Sequence, residues 1–439
     1  MLRKTFNYFS MFVTGFFFCV LGFSFLFGTW SPWNWLFFTL IIGMIVVAIL
    51  RVLNFCLNFH KVERRFGQFL DVMMWFLVII LALANSELFY FLFPRLIGSW
   101  ILLHALVKTI TITIKIKDHL PGWLHSFIFL IGDIFMASVL LWMPDHFPVL
   151  VNVVIGCYFL IYGNNILLNF IREVIPASRK EQWDHRFQLA LPPFLAAWIP
   201  PTLLLTILNK DKEDQARADF EMIKKDIPVD LEVFVHMALK GPAMLGHIDL
   251  AYRGFLFSYG CYDPHERRWL GTMGDGVLLV APKEEYIYNC LKNENKVLVC
   301  FGIVLNGDQK QAFDHRLLEI FDDLVDFHSD EELAQAKKPT KGDGSDYLSR
   351  VTRNVPDAHF YKYRSGRFKT FFVLSSNCVF FIRHLLGSIG LNLLEMSGIV
   401  SPGSYFDFLN KQFKSNKSFV ISRRIYTKRN MNQFYHERG

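Results

Sequence analysis

Gly246-His247-Ile248-Asp249-Leu250-Ala251-Tyr252-Arg253-Gly254-Phe255-Leu256-Phe257-Ser258-Tyr259 is the stretch on which the fold of the second half turns. His247–Tyr252 reads as a short β-strand. Arg253-Gly254 makes the turn, and Phe255–Tyr259 returns as the partner strand, so the segment predicts a hairpin. Asp249 falls on the same strand face as His247, because strand side chains alternate with a period of two, and is expected to border any site built on that histidine. Far downstream, Ser375-Ser376-Asn377-Cys378-Val379-Phe380-Phe381-Ile382 places a cysteine at the start of an apolar helix, with cap-type side chains just before it.

A cysteine nucleophile works through its thiolate. Exposed amides at a helix start, together with a nearby imidazole, favour that charge. Cys378 is the candidate nucleophile and His247 the candidate base and acid. Asn377, or a backbone amide beside Cys378, supplies oxyanion or cap contacts. The residue orienting the imidazole is expected at Tyr259, with Ser258 and Asp263 as alternatives. Taken singly, His247 and Cys378 read as a core histidine and an inert buried thiol. Their joint placement at a strand and a helix start favours the dyad.

The remaining soluble segments read as an α+β domain. Strands are expected at Gly276–Ala281, Lys296–Leu305, His359–Arg364 and Phe368–Leu374. Lys283–Asn293 and Gln309–Asp326 are expected as helices, the second from apolar residues at helical spacing. The Cys378 helix is expected to run to about Met396 and a final helix to occupy Tyr405–Phe413. His328–Ser349 is polar and reads as a loop or flap. Gly274-Asp275-Gly276 reads as a turn, and no phosphate-binding fingerprint occurs.

These residues resemble the permuted papain-like hydrolases and acyltransferases, a group that includes NlpC-type, YiiX-like and lecithin–retinol acyltransferase-like proteins. The match rests on Gly-His-Ile-Asp-Leu at His247 and on Asn377-Cys378 followed by Val-Phe-Phe-Ile. Ser401-Pro402-Gly403-Ser404-Tyr405 is similar to the segment that follows the catalytic helix. The resemblance covers about Pro242–Phe413 and implies a thiol-dependent hydrolase or acyltransferase. It departs from the group at Ser258-Tyr259, where a clear polar partner of the histidine is common.

Upstream the composition changes. The 439-residue chain is 52% hydrophobic, and the excess lies before about Leu208. Apolar runs of spanning length, about 17–25 residues, occur at Met11–Gly28, Trp35–Phe55, Phe69–Asn85, Phe89–Ile112, Phe127–Met143 and Val149–Ile171. They pair as three hairpins across uncharged or acidic turns. The first run is an anchor and not a removed leader, because it lacks a small-residue cleavage site and turns straight into the second. Arg3, Lys4, Arg51, Lys61, Arg64, Arg65, Lys108, Lys115 and Lys117 lie on the opposite side, so the amino terminus is expected to be cytoplasmic. In helix number, hairpin lengths and recurrent glycines, residues 1–175 resemble the HdeD-like six-span membrane family.

The expected organisation is a six-helix membrane domain over 1–175 and a proline-rich interfacial or re-entrant segment with connector over 176–232. A permuted papain-like domain follows over 233–413, and then a basic tail over 414–439. The second segment contains Phe187–Leu208, interrupted by Pro192, Pro193, Pro200 and Pro201. If that stretch crosses the bilayer instead, the papain-like domain lies outside. Otherwise the chain is a multi-pass protein of the inner or plasma membrane with a cytoplasmic soluble domain. The tail reads either as a solvated arm or as one drawn to anionic lipid.

Expected partners are the bilayer and a membrane-associated, peptide or lipid substrate. Nucleic acid is not expected, since no binding module accompanies the basic residues. No cofactor is expected, and no metal, because neither the cysteines nor the other histidines show ligand spacing. No feature specifies an oligomeric state. Two other functions compete: a non-catalytic sensor or scaffold, and a solute or proton transporter regulated by the soluble domain. Asp133 and His104 bear on the second, since charges in lipid are costly and face protein or water. They fall at similar depth, as a structural pair or a proton path.

Overall fold

Leu2–Phe27 is one continuous helix, α1, because its long apolar run contains no proline to interrupt the backbone hydrogen bonds. The computed structural model describes residues 2–27, 33–38, scattered positions between 41 and 84, and 85–142, 148–174, 221–224, 227–237, 246–389, 402–414 and 419–428. The chain divides into two units, one helical and one sheet-rich.

In the helical unit, α2 (Ser86–Lys117), α3 (Trp123–Trp142) and α4 (Pro148–Val174) follow α1. Three of these helices are long and apolar enough to cross a membrane: Tyr90–Lys117, Trp123–Trp142 and Pro148–Leu168. They correspond to the last three expected spans. About half of the expected spans 35–55 and 69–85, and the whole of 187–208, lie outside the described residues.

Helices α1 and α4 pack through reciprocal glycines. A Cβ on Gly22 would stand 2.8 Å from the Gly156 carbonyl oxygen, and one on Gly163 would stand 2.7 Å from the Cys19 nitrogen. Small residues of this kind let helices approach where no hydrophobic drive separates lipid from protein. Phe18 fills the seam against Phe159 and Tyr162.

The second unit is built on a nine-stranded sheet, in which each neighbouring pair is antiparallel. Its strands, in sheet order, are β1 (Glu221–Ile223), β11 (Val420–Tyr426), β7 (Val297–Ile303), β2 (Leu231–Met237), β3 (His247–Tyr252), β4 (Phe255–Gly260), β6 (Val277–Pro282), β9 (His359–Tyr363) and β8 (Leu324–Phe327). A separate ribbon pairs β5 (Met273–Asp275) with β10 (Thr370–Phe372).

Alternate residues feed two apolar layers, one on each sheet face. Val233, Val235, Ile248, Leu250 and Tyr259 pack beneath α6 (Gly307–Asp322), α9 (Cys378–Gly387) and α10 (Pro402–Lys414). Phe234, Ala251, Leu256 and Leu279 pack beneath α5 (Lys283–Lys292) and α8 (Tyr347–Asn354). The short helix α7 (Asp330–Gln335) lies ahead of α8.

Four expectations are corrected here. Val420–Tyr426, assigned to a basic tail, is a sheet strand between β1 and β7. Its apolar residues Val420, Ile421, Ile425 and Tyr426 are buried, and the arginines between them had concealed the pattern. Glu221–Ile223, assigned to the connector, is the edge strand beside it. The helix expected over Gln309–Asp326 stops at Asp322, and Leu324–Phe327 pairs with β9. The polar stretch His328–Ser349 contains α7 and the first turn of α8. The former is announced by a Ser329/Glu332 capping box that was legible in the sequence.

Candidate functional site

The hairpin forms where expected, and its geometry presents the histidine. His247 is the first residue of β3 and lies across from His236, its register partner on β2. His236, His247 and Asp249 therefore share one face of adjacent strands, and Ser258 joins them from β4. Asp249 is fully buried. Its Oδ1 lies 2.7 Å from His247 Nε2 and its Oδ2 lies 2.5 Å from His236 Nε2. In both contacts the carboxylate is set beside the ring and out of line with a regular hydrogen bond.

Two further oxygens reach the same nitrogen of His247. Ser258 Oγ is 2.9 Å away and Tyr262 OH 3.0 Å, and these hydroxyls lie 2.6 Å from each other. The hydroxyls can donate or accept, but the Asp249 carboxylate can only accept, which puts a hydrogen on Nε2. Tyr262 reaches in because residue 260 is glycine: a Cβ there would stand 2.7 Å from the tyrosine ring.

Cys378 opens α9, as expected. Asn377 is the N-cap: its Oδ1 accepts from Val379 and Phe380 N–H, and its Nδ2 donates to the Val373 carbonyl. Phe381 N–H donates to the Asn377 carbonyl. Those bonds occupy the second, third and fourth amides of the helix and leave Cys378's own N–H for a ligand. Asn377 Oδ1 is used in the cap and Nδ2 donates to Val373, whereas the Cys378 N–H, the other expected oxyanion donor, meets no acceptor among the described residues.

Cys378 packs in the layer under α9, whereas Asp249 and Ser258 belong to the opposite face. His247, at the end of its strand, bridges the two sets. It is about a quarter exposed, with 24% of its side-chain surface open. The sulfur is near enough to act on the imidazole electrostatically, although no thiol–imidazole hydrogen bond of regular geometry joins them.

The charges follow from these neighbours. Burial opposes protonation of His247, but the Asp249 carboxylate and then Cys378 outweigh it and raise the imidazole to about 10. Burial would raise Asp249, yet His247 and His236 hold it well below the usual carboxylate range. His236 is lowered to about 4 by burial, against the pull of Asp249. The cluster therefore holds one carboxylate, one imidazolium and one neutral imidazole at neutral pH.

The third position differs from the expectation. Tyr259 is fully buried on the other face of β4 and donates to the Phe368 carbonyl at 2.8 Å. Asp263 pairs with Lys362 at 2.6 Å and caps the His265 amide. Of the three candidates only Ser258 meets the imidazole. Asp249, His236 and Tyr262 complete the set. Asp249 was legible from its spacing to His247, whereas His236 and Tyr262 required the strand pairing.

In the helical unit Asp133 is buried, with Lys108 Nζ at 2.5 Å and His104 Nδ1 at 3.2 Å from Oδ2. Lys108 had been counted only among the positive charges that set orientation. It supplies the countercharge, which favours the structural pair. No His, Cys, Asp or Glu group suited to a metal ion occurs among the described residues.

No family model, curated protein or solved structure matches this chain.

Proposed function

We propose that this protein is a membrane-anchored cysteine hydrolase or acyltransferase that works through a thioester on Cys378. One observation carries the reading: an imidazole gripped by Asp249, Ser258 and Tyr262 is presented to a cysteine at the capped start of a helix. Nε2 is committed to oxygens, so Nδ1 is the nitrogen assigned to the sulfur.

In this scheme the thiol proton rests on His247 and the thiolate attacks a carbonyl carbon. The developing oxyanion is met by the Cys378 N–H. His247 then protonates the leaving amine or alcohol as the carbon–heteroatom bond breaks, giving the thioester. Water or another acceptor gives its proton to His247 and attacks the thioester. Collapse expels the Cys378 thiolate, releases the acyl product and restores the starting thiolate–imidazolium pair.

The same proposal places the chain in the inner or plasma membrane by six spans, with its amino terminus and the soluble unit on the cytoplasmic side. Three apolar helices of spanning length support the membrane part. The substrate is then an amide or ester that is itself lipidic or membrane-held.

The deciding experiment is site-resolved thiol labelling of the full chain with iodoacetamide. Burial raises the Cys261 thiol to about 11 and Cys290 to about 12, and pushes Cys300 well up. Cys378 should label far faster than all three, and His247→Ala should remove the difference. Equal rates, or indifference to His247→Ala, reject the enzyme.

A further inference from the structure

We propose that the turn at Trp269, together with Leu374, is a lipid-facing anchor joined to the cap of the Cys378 helix, so that the dyad acts on acyl groups presented at a bilayer surface. This rests on the thiol reading above and adds the surface on which the substrate is met.

Trp269 and Leu374 are 58% and 56% exposed. The β5–β10 ribbon ties their segments together, since the Val373 N–H donates to the Thr272 carbonyl at 2.9 Å. Trp269 sits at φ 48°, in the left-handed region that side chains other than glycine rarely adopt. The turn holds it there through the Gly271 N–H to the Arg268 carbonyl, and through the Thr272 N–H and hydroxyl to the Trp269 carbonyl. Strain spent to project an indole into solvent points to a surface that takes the indole up.

The charge beside it names that surface. Arg267 and Arg268 precede the tryptophan and are exposed. Arg267 is tied to the Cys261 carbonyl, while Arg268 makes only a loose 3.6 Å contact with the half-exposed Glu266. Tryptophan and leucine flanked by arginines match the apolar and phosphate levels of a lipid interface. Three helices of the same chain are long and apolar enough to cross a bilayer.

Topology puts the anchor at the reactive end of the sheet. His247 begins β3, Gly260 ends β4 and Val277 begins β6, which in antiparallel register is one end. The connection to the site is a single residue. Val373 donates to the Trp269 turn through its N–H and accepts from Asn377 Nδ2 at 2.6 Å through its carbonyl. Asn377 in turn caps the Cys378 helix. A displacement of the turn on meeting lipid is therefore transmitted to the cap.

The test is photocrosslinking of the full chain in phosphatidylglycerol–phosphatidylcholine nanodiscs, with benzoyl-phenylalanine replacing Trp269 or, separately, Leu374. Phe255, half-exposed at the opposite end of β4, is the control position. Lipid adducts at 269 and 374 and none at 255 are expected by mass spectrometry. Adducts only to protein, or equal lipid adducts at 255, overturn the anchor. Cys378 labelling in the same samples separates the two readings. If Cys378 labels no faster than Cys261 while lipid adducts form, the thiol chemistry fails and the proposal falls with it. If labelling is fast and lipid adducts are absent, only the anchor falls.

Discussion

His236 Nε2 lies 2.5 Å from Asp249 Oδ2, so the carboxylate that holds His247 through one oxygen is itself held through the other. The two imidazoles meet edge to face across paired strands, with ring centroids 5.3 Å apart. Burial keeps His236 neutral, and the cluster's positive charge therefore rests on His247.

The first prediction concerns that charge. A folded pKa raised above the ordinary 6.5 keeps the imidazolium present through neutral pH and loses it as pH rises through about 10. The ¹⁵N shifts of the His247 ring should stay those of an imidazolium to about pH 9. Asp249→Asn should bring the transition down toward the ordinary histidine value. An unchanged transition in that variant would exclude Asp249 as its cause.

His236 works in the other direction. Its folded pKa is lowered to about 4, so the stability tied to its neutral form is complete above 6.5 and is lost as pH falls from 6.5 through 4. Up to about 3 kcal/mol is at stake. Denaturant melts between pH 7 and 4 should show this slope, and His236→Gln, which keeps a donor for Asp249 without titrating, should flatten it.

The cap can be tested by two substitutions. Asn377→Ala removes an acceptor for two helix amides and should cost about 1–2 kcal/mol in melts. Asn377→Asp keeps the acceptor, loses the donation to Val373 and sets an anion beside the sulfur. It should slow Cys378 alkylation with a smaller loss of stability.

Tyr259 and Tyr262 should part company. Tyr259→Phe loses the bond to the Phe368 carbonyl and should cost about 1 kcal/mol, with Cys378 labelling unchanged. Tyr262→Phe removes one of the oxygens around His247 Nε2, and its labelling rate should fall. If Tyr259→Phe slowed labelling instead, the sequence expectation would be restored.

In the helical unit, Asp133→Asn leaves the Lys108 charge unmatched, and the melting temperature in detergent should drop. Lys108→Met in the same chain should recover it, because removing both charges avoids the unpaired ion. A stable single variant would overturn the structural pair.

Local signals were the legible ones. The β3–β4 hairpin, with its Arg253-Gly254 turn, and the Asn377-Cys378 helix start were read correctly because each depends on neighbours in the chain. Where the pattern was short or masked by charge, the reading failed. Leu324–Phe327 is a four-residue edge strand directly after a helix, and β11 hides its apolar residues among arginines.

By itself the sequence determined the division between an apolar half and a sheet-forming half, the period-two placement of His247 with Asp249, and the helix start at Cys378. Hydropathy and local periodicity contain that much. Only the tertiary structure decided that His236 shares the Asp249 carboxylate, that Tyr262 rather than Tyr259 meets the imidazole, and that Val373 joins the Trp269 turn to the Asn377 cap. Those contacts exist because antiparallel register and a sheet end bring distant residues together, and register is set by burial across all nine strands at once.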